Sequence, residues 1–334
     1  MKKRMLSGIK PSGQLHLGNY IGALRNFVKY QDDYEMVVFI ANLHCITVPQ
    51  DPQTLQKNLR DAAALYIAAG LDPKKSTIFL QSDVMAHSQL TFILQSNTGL
   101  GELNRMTQYK DKVAKGETDV SVGLYTYPTL MASDILVQDA HYVPVGIDQK
   151  QHVELTRDLA QRMNHRYHKD LFIVPEPVIE KVGSKIYSLQ NVENKMSKSD
   201  TTVKDIIYLL DPVKVATKKI MSAVTDSENK IAYNPEKQPG ISNLLTIAAS
   251  LTYQDIETIV NECKHMQYGE FKRYVADIVG KTLSDLQEKY HEVLESNLLV
   301  DVLAQGAKKA QQTANNRLKI VQQTLGLEII GETK

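Results

Sequence analysis

The chain has 334 residues, 43% of them hydrophobic and 23% charged, with a formal net charge of +1 at pH 7. That length accommodates two domains and a sizeable core, and the near-zero charge excludes nucleic-acid binding through a global field, leaving only a local patch. Cys45 and Cys263 are the only cysteines; they are far apart and match no metal-ligand spacing, and two thiols in a chain this size point to a reducing compartment and no disulfide framework. No apolar run approaches the ~20 residues of a membrane span, and MKKRMLSGIKPSGQ lacks the apolar stretch of a secretory signal. A cytoplasmic location is the expectation, with no membrane partner.

Arg4 to Ile9 reads as a first strand, closed by the turn signal Lys10-Pro11-Ser12-Gly13. His16-Leu17-Gly18-Asn19 then opens a segment with Tyr20, Ile21, Leu24, Phe27 and Val28 at helical spacing. Strand, glycine-containing loop and helix start together form an arrangement that binds phosphate on backbone N–H groups and the helix dipole. Met36 to Ala41 is a continuous apolar run, as in a buried parallel strand, with Asn42-Leu43-His44 at its carboxyl end. Asp51-Pro52 is an N-cap with proline at the first helical position. Leu55, Leu59, Ala62, Ala63 and Tyr66 mark one face of that helix, and Gly70 ends it.

Ser76 to Gln81 is a further buried strand. Strands alternating with helices predict a Rossmann-like, doubly wound parallel sheet with ligands at the carboxyl ends of its strands. Lys10, His16 and His44 then share one edge. Ala86 to Lys115 reads as helical. Tyr127-Pro128 is predicted to start a helix through Leu136 that places Tyr127, Met131 and Asp134 on one face. An acid on that face is either a surface carboxylate closing an apolar stripe or a pocket acid for an apolar ligand's single polar handle. His141 to Val145 is another strand, followed by Gly146-Ile147-Asp148-Gln149 and a helix from Gln149 to Met163. Gly146 permits close backbone approach. Asp148 either caps that helix or accepts ribose hydroxyls.

Pro175 to Ser199 is loop-rich and holds Lys195-Met196-Ser197-Lys198-Ser199, two lysines three apart whose ammonium groups suit phosphate oxygens. Beyond Asp200 the pattern is helical: Tyr208 to Leu210, Ile241 to Leu251, Ile256 to Cys263, Phe271 to Leu294 and Leu298 to Leu325. The expected division is residues 1–200, a catalytic domain with a helical insertion at about 83–125 and a lysine loop at 195–199, then an all-α domain at 201–334 whose last helix could return to the first. Lys214, Lys218, Lys219, Lys308, Lys309, Arg317 and Lys319 are either phosphate contacts or solvated helix faces.

These motifs resemble those of the class I aminoacyl-tRNA synthetases. Lys195 to Ser199 is similar to their lysine loop, and His16 to Asn19 to their His-Ile-Gly-His motif. Gly101 to Gln108, Tyr127 to Leu136, Val143 to His152, Ala223 to Ser227 and Pro239 to Leu245 extend the likeness to the bacterial tryptophanyl-tRNA synthetase family over nearly the full length. The resemblance implies ATP-dependent activation of L-tryptophan and its transfer to tRNA(Trp) by a homodimer, with Mg²⁺ carried by ATP and no protein-bound metal. It implies that His16, Gly18 and Asn19 hold ATP together with Lys10, Pro11, Ser12, Ser197 and Ser199. It places Lys195 and Lys198, joined by Lys112, over the pyrophosphate. Gly146, Ile147 and Asp148 would meet adenine and ribose, and Ile186 and Met196 would line the adenine. Asp134 would accept the indole N–H, Tyr127 and Gln149 the ammonium, with His44 and Met131 beside the ring, while the helical half meets the anticodon.

Lys10, Asn42 and Ile147 depart from the family pattern, where Gln, Asp and Glu are usual. Three other readings stay open: a tyrosyl-tRNA synthetase, a small-molecule nucleotidyltransferase of the same superfamily, and a synthetase-like RNA-binding protein without catalysis.

Overall fold

The structure, a computed structural model, describes residues 2–11, 13–107, 110, 121–179, 185–197 and 204–328. In chain order its elements begin with β1 (Arg4–Ile9) and α1 (Leu17–Asn19), which runs through a π-helical turn at Tyr20–Leu24 into α2 (Arg25–Asp33). Next come β2 (Glu35–Ile40), α3 (Asn42–Cys45), α4 (Pro52–Ala68), β3 (Ser76–Leu80), α5 (Ala86–Gln95), α6 (Leu100–Asn104) and α7 (Val122–Val137). They are followed by β4 (Tyr142–Val145), α8 (Lys150–Tyr167) and β5 (Glu176–Ile179). The remainder is helical: α9 (Val213–Met221), α10 (Pro239–Thr252), α11 (Ile256–Cys263), α12 (Tyr268–Glu295) and α13 (Leu298–Thr324).

The strands form one sheet in the order β3-β2-β1-β4-β5, every pair parallel. Chain order reverses between β1 and β4, which opens a crevice beyond the carboxyl ends of those two strands. The strands are apolar on both faces because both are covered. Met5, Met36, Val38, Ile40 and Ile78 point to a core shared with α4 and the helical half. Leu6, Val37, Phe39 and Phe79 point to a second core against α5, α7, α8 and the later turns of α13. This alternation is the period-two consequence of the strand pleat.

Local chemistry explains the ends. Asp51 accepts from the Thr54 N–H at 2.8 Å with Pro52 behind it, and Gly70 leaves α4 at φ +108°. The last helix crosses back to the sheet. Gly306 of α13 lies so close to β3 that a Cβ there would stand 1.8 Å from the Ile78 carbonyl oxygen. Arg317 then ties α13 to Asp139 (2.5 Å) and to the Leu171 carbonyl (2.6 Å).

Four local readings need correction. Glu176–Ile179 is an edge strand rather than loop, its Pro177 tolerated at the sheet margin. Tyr208 to Leu210 is not helical: Tyr208 bridges His16, and the Leu209 N–H donates to the Leu15 carbonyl at 2.9 Å. The helix carrying Asp134 starts at Val122, capped by the Ser121 hydroxyl on the Leu124 N–H at 3.1 Å, so Pro128 is interior. Lys219 is a buried structural cation, bound to Asp211 at 2.7 Å and to the Ile206 carbonyl at 2.8 Å, and Arg317 is held as described. Neither belongs to a phosphate-binding surface, whereas Lys214, Lys218, Lys308, Lys309 and Lys319 are exposed.

Candidate active site

At the crevice, β1 ends beside Lys10, whose Nζ donates to Thr47 Oγ1 at 3.4 Å. Leu17 N–H donates to the Ile207 carbonyl at 2.8 Å, which stitches the start of α1 to the chain beyond the lysine loop. The Asn19 side-chain oxygen accepts from the His16 N–H at 3.1 Å, and the Tyr20 N–H reaches the His16 carbonyl at 3.1 Å. His16 is buried, and Gly18 is confined: a Cβ there would lie 3.0 Å from His16 Nδ1 and 3.7 Å from Met196 Cβ. The two signatures, far apart in the chain, therefore touch. Met196 is buried and its N–H donates to the Ile186 carbonyl at 2.9 Å, while Lys195, bridged to Tyr187, is exposed and Ser197 half-buried. Ser12, Lys112, Lys198 and Ser199 lie outside the described residues.

Across the crevice, β4 ends at Gly146. Asp148 folds back so that a Cβ on Gly146 would meet its Oδ1 at 2.6 Å, and Gln149 Nε2 donates to its Oδ2 at 3.2 Å. Ile147 is exposed.

Deeper, α7 carries Asp134, only 1% exposed. His44 Nε2 lies 2.8 Å from its Oδ2 and His87 Nδ1 2.7 Å from its Oδ1. Gln81 Nε2 donates to both oxygens, at 2.7 and 2.9 Å. Burial works to raise this carboxyl, but the hydrogen bonds from His44 and His87 outweigh it and hold Asp134 below the usual carboxylate range. It is a buried, ionised acceptor surrounded by the donors of His44, His87 and Gln81. Tyr127 stands above it, its ring edge-on to His44 at 6.0 Å and stacked on His152 at 5.4 Å. Its hydroxyl meets His152 Nε2 at 2.8 Å. Burial keeps the Tyr127 hydroxyl protonated and pushes His152 down to about 4, with nearby Asp148 opposing and His44 adding to the shift. Met131 is half-buried on the same helix.

Sequence reasoning missed Gln81, His87, Gln138 and His152. Gln81 carried a signal, a lone amide ending an apolar strand. His152 stands at the end of the Val143 to His152 frame. His87 and Gln138 have none, because their partners are distant in the chain.

The family model for class I tRNA synthetases (W and Y) matches residues 1–284. The chain belongs to that family. It is 51% identical over 325 residues to the tryptophan–tRNA ligase of Caldanaerobacter subterraneus, covering 97% of this chain and 98% of the relative. Identity to the Bacillus subtilis tryptophan–tRNA ligase is 50% over 327 residues, 98% of each chain. Among solved structures it resembles the tryptophanyl-tRNA synthetase of Mycoplasma pneumoniae, with a TM-score of 0.89 at 38% identity, covering 98% of this chain and 99% of that one. The Campylobacter jejuni tryptophanyl-tRNA synthetase, complexed with ADP and tryptophan, gives 0.82 at 37% identity, covering 97% and 99%. Membership in a class I family agrees with the sheet order and with the contact between the His16–Asn19 turn and the lysine loop.

Proposed function

We propose that this chain is a tryptophan–tRNA ligase: it joins L-tryptophan to ATP as the adenylate, then passes the tryptophanyl group to the terminal adenosine of tRNA(Trp). The observation that carries the reading is Asp134, an ionised carboxylate 1% exposed, ringed by donors beneath Tyr127. A site of that kind suits one large apolar ligand with one N–H donor. Full-length identity of about half to named tryptophan–tRNA ligases supports it.

In the first step a tryptophan carboxylate oxygen attacks the α-phosphorus and pyrophosphate leaves. The task is positioning and charge stabilisation, with no protein nucleophile. Indole N–H goes to Asp134, beside His44 and Met131. The ammonium lies by Tyr127 and Gln149, whose oxygens accept from it. His16, Gly18 and Asn19 receive the nucleotide at the helix start, with Lys10, Pro11 and Ser12 near the α-phosphate. Gly146, Ile147 and Asp148 face adenine and ribose, and Ile186 and Met196 border the adenine. Lys195 and Lys198, with Ser197, Ser199 and Lys112, close on the departing pyrophosphate. The cations Lys10 and Lys195 suit a polyphosphate rather than a bare metal ion; Mg²⁺ arriving with the nucleotide would supply further charge neutralisation there. In the second step a ribose hydroxyl of the terminal adenosine attacks the acyl carbonyl and AMP leaves.

The helical half is assigned to the anticodon. A second copy of the chain is assigned to the apolar side chains of Met85, Phe92, Leu100 and Val122, all more than two-thirds exposed.

Amino-acid-dependent ATP–pyrophosphate exchange, run separately with tryptophan and tyrosine, tests the activation step without tRNA. Exchange with tryptophan alone is expected. Exchange with tyrosine alone would overturn the substrate, and exchange with neither would overturn the activity.

A further inference from the structure

We propose that Gln138, with the last helix, is a positioning residue for tryptophan selection: it locks the proton of His87 toward Asp134 and so leaves Asp134 Oδ2 as the ligand-facing acceptor. The inference rests on the reading of Asp134 given above.

Gln138 Nε2 lies 3.2 Å from the Ala310 carbonyl oxygen of α13 and 3.0 Å from His87 Nε2. A carbonyl oxygen only accepts, so the amide nitrogen, not its oxygen, faces Ala310. The same nitrogen can only donate to His87 Nε2, which must then be the bare, accepting nitrogen. The His87 proton therefore resides on Nδ1 and is given to Asp134 Oδ1 at 2.7 Å.

Burial makes this assignment consequential. His87 is fully buried, with the rings of Phe39 and Phe79 edge-on at 6.0 and 5.8 Å. Gln138 is buried as well. A flipped amide or the other imidazole tautomer would oppose two donors or two acceptors in a low-dielectric interior.

Gln81 is oriented in the same way. Its Oε1 accepts from the Leu43 N–H at 3.1 Å, so its Nε2 must point to Asp134. Both inner partners of the carboxylate are thus set by main-chain groups, Leu43 beyond β2 and Ala310 on α13. Oδ1 receives His87 and the shorter Gln81 contact. Oδ2 faces His44, the one partner with appreciable exposure at 12%. An indole N–H approaching from the crevice meets Oδ2. Loss of the Gln138 donor frees His87 to change tautomer, and the carboxylate loses its fixed rotation. Tryptophan binding then suffers, while the nucleotide half of the crevice keeps its contacts.

The test uses the full-length enzyme. Histidine labelled with ¹⁵N reports the His87 tautomer in the wild-type protein by NMR, its signal assigned by loss in His87→Gln. The wild type is expected to show Nδ1–H. In Gln138→Met, exchange assays are expected to show a tryptophan KM raised about tenfold, the worth of one buried hydrogen bond. The ATP KM and kcat should stay within twofold. Preference for tryptophan over β-(benzothiophen-3-yl)alanine, which has sulfur in place of the N–H, should fall about tenfold. A wild-type His87 protonated on Nε2 overturns the proposal whether or not the variant folds. So does a variant whose KM values for tryptophan, the analogue and ATP rise together. Wild-type enzyme that shows Nδ1–H at His87 yet no tryptophan-dependent exchange overturns the functional reading, and with it the role assigned to Gln138, while leaving the tautomer intact.

Discussion

Replacing Gly306 by alanine puts a methyl group where β3 already stands. The new Cβ would lie 1.8 Å from the Ile78 carbonyl oxygen, 2.6 Å from its carbon and 3.1 Å from its nitrogen, all main-chain atoms of a central layer. None is the end of a flexible side chain. To regain an ordinary contact of 3.4 Å, α13 must retreat by about 1.6 Å. That retreat would carry Ala310, Ala314, Leu318 and Val321 off the second core and stretch the 3.2 Å hydrogen bond from Gln138 past its useful range. Overpacking of this kind costs about 3 kcal/mol or more, and the helix propensity gained over glycine offsets about 1 kcal/mol. A net loss of about 2 kcal/mol lowers the melting temperature of a chain this size by roughly 3 °C. Gly269→Ala, in the first turn of α12 with nothing within 4 Å of the new methyl, is the matched control and should melt at or slightly above the wild type. Thermal unfolding of the three proteins measures this. A Gly306→Ala protein as stable as the wild type would refute the close docking of α13 on β3.

Three further outcomes are expected. His152 is pushed down to about 4 by burial, so the unfolded chain binds a proton near pH 6.5 that the folded chain refuses until about pH 4. Stability therefore falls as pH drops through that window, by about 3 kcal/mol from this group. Urea midpoints at pH 7 and pH 4.5 should converge more in His152→Gln than in the wild type, and parallel losses would contradict this. Lys10→Gln removes a cation from the end of β1, and at low salt the ATP KM should rise about fivefold, the worth of one charge pair near 4 Å in water. The difference should shrink in 0.5 M salt; an unchanged ATP affinity and salt slope would remove Lys10 from the nucleotide site. Lys219→Met removes the buried cation from the Ile206 carbonyl and from Asp211, which keeps only the Tyr208 N–H, and should cost about 3 kcal/mol of stability. The salt dependence of tRNA aminoacylation should stay at the wild-type slope, and a shallower slope would return Lys219 to the tRNA surface.

Much of the architecture was legible because it is written in local periodicity. The apolar runs at Arg4 to Ile9, Met36 to Ala41, Ser76 to Gln81 and His141 to Val145 declare strands covered on both faces, and the helices between them declare parallel crossovers. Glu176–Ile179 did not declare itself. Four residues with a proline at a sheet margin carry no alternation to read. The motif at His16 to Asn19 and the lysines at Lys195 and Lys198 were visible as spelling, and Asp134 as an acid on a face with Tyr127 and Met131.

What the chain's sequence determined by itself is this set of elements and the identity of the chemical groups it offers. Tertiary structure alone decided which groups meet. His87 and Gln81 reach Asp134 across 47 and 53 residues, and Ala310 reaches Gln138 across 172. It also decided that Lys219 is buried and that Arg317 is half-buried in an ion pair, although both are indistinguishable in sequence from surface cations. Periodicity reports only the direction of a side chain from its own helix or strand. The partner that fixes its proton, charge or rotamer comes from wherever the fold brings another element against it.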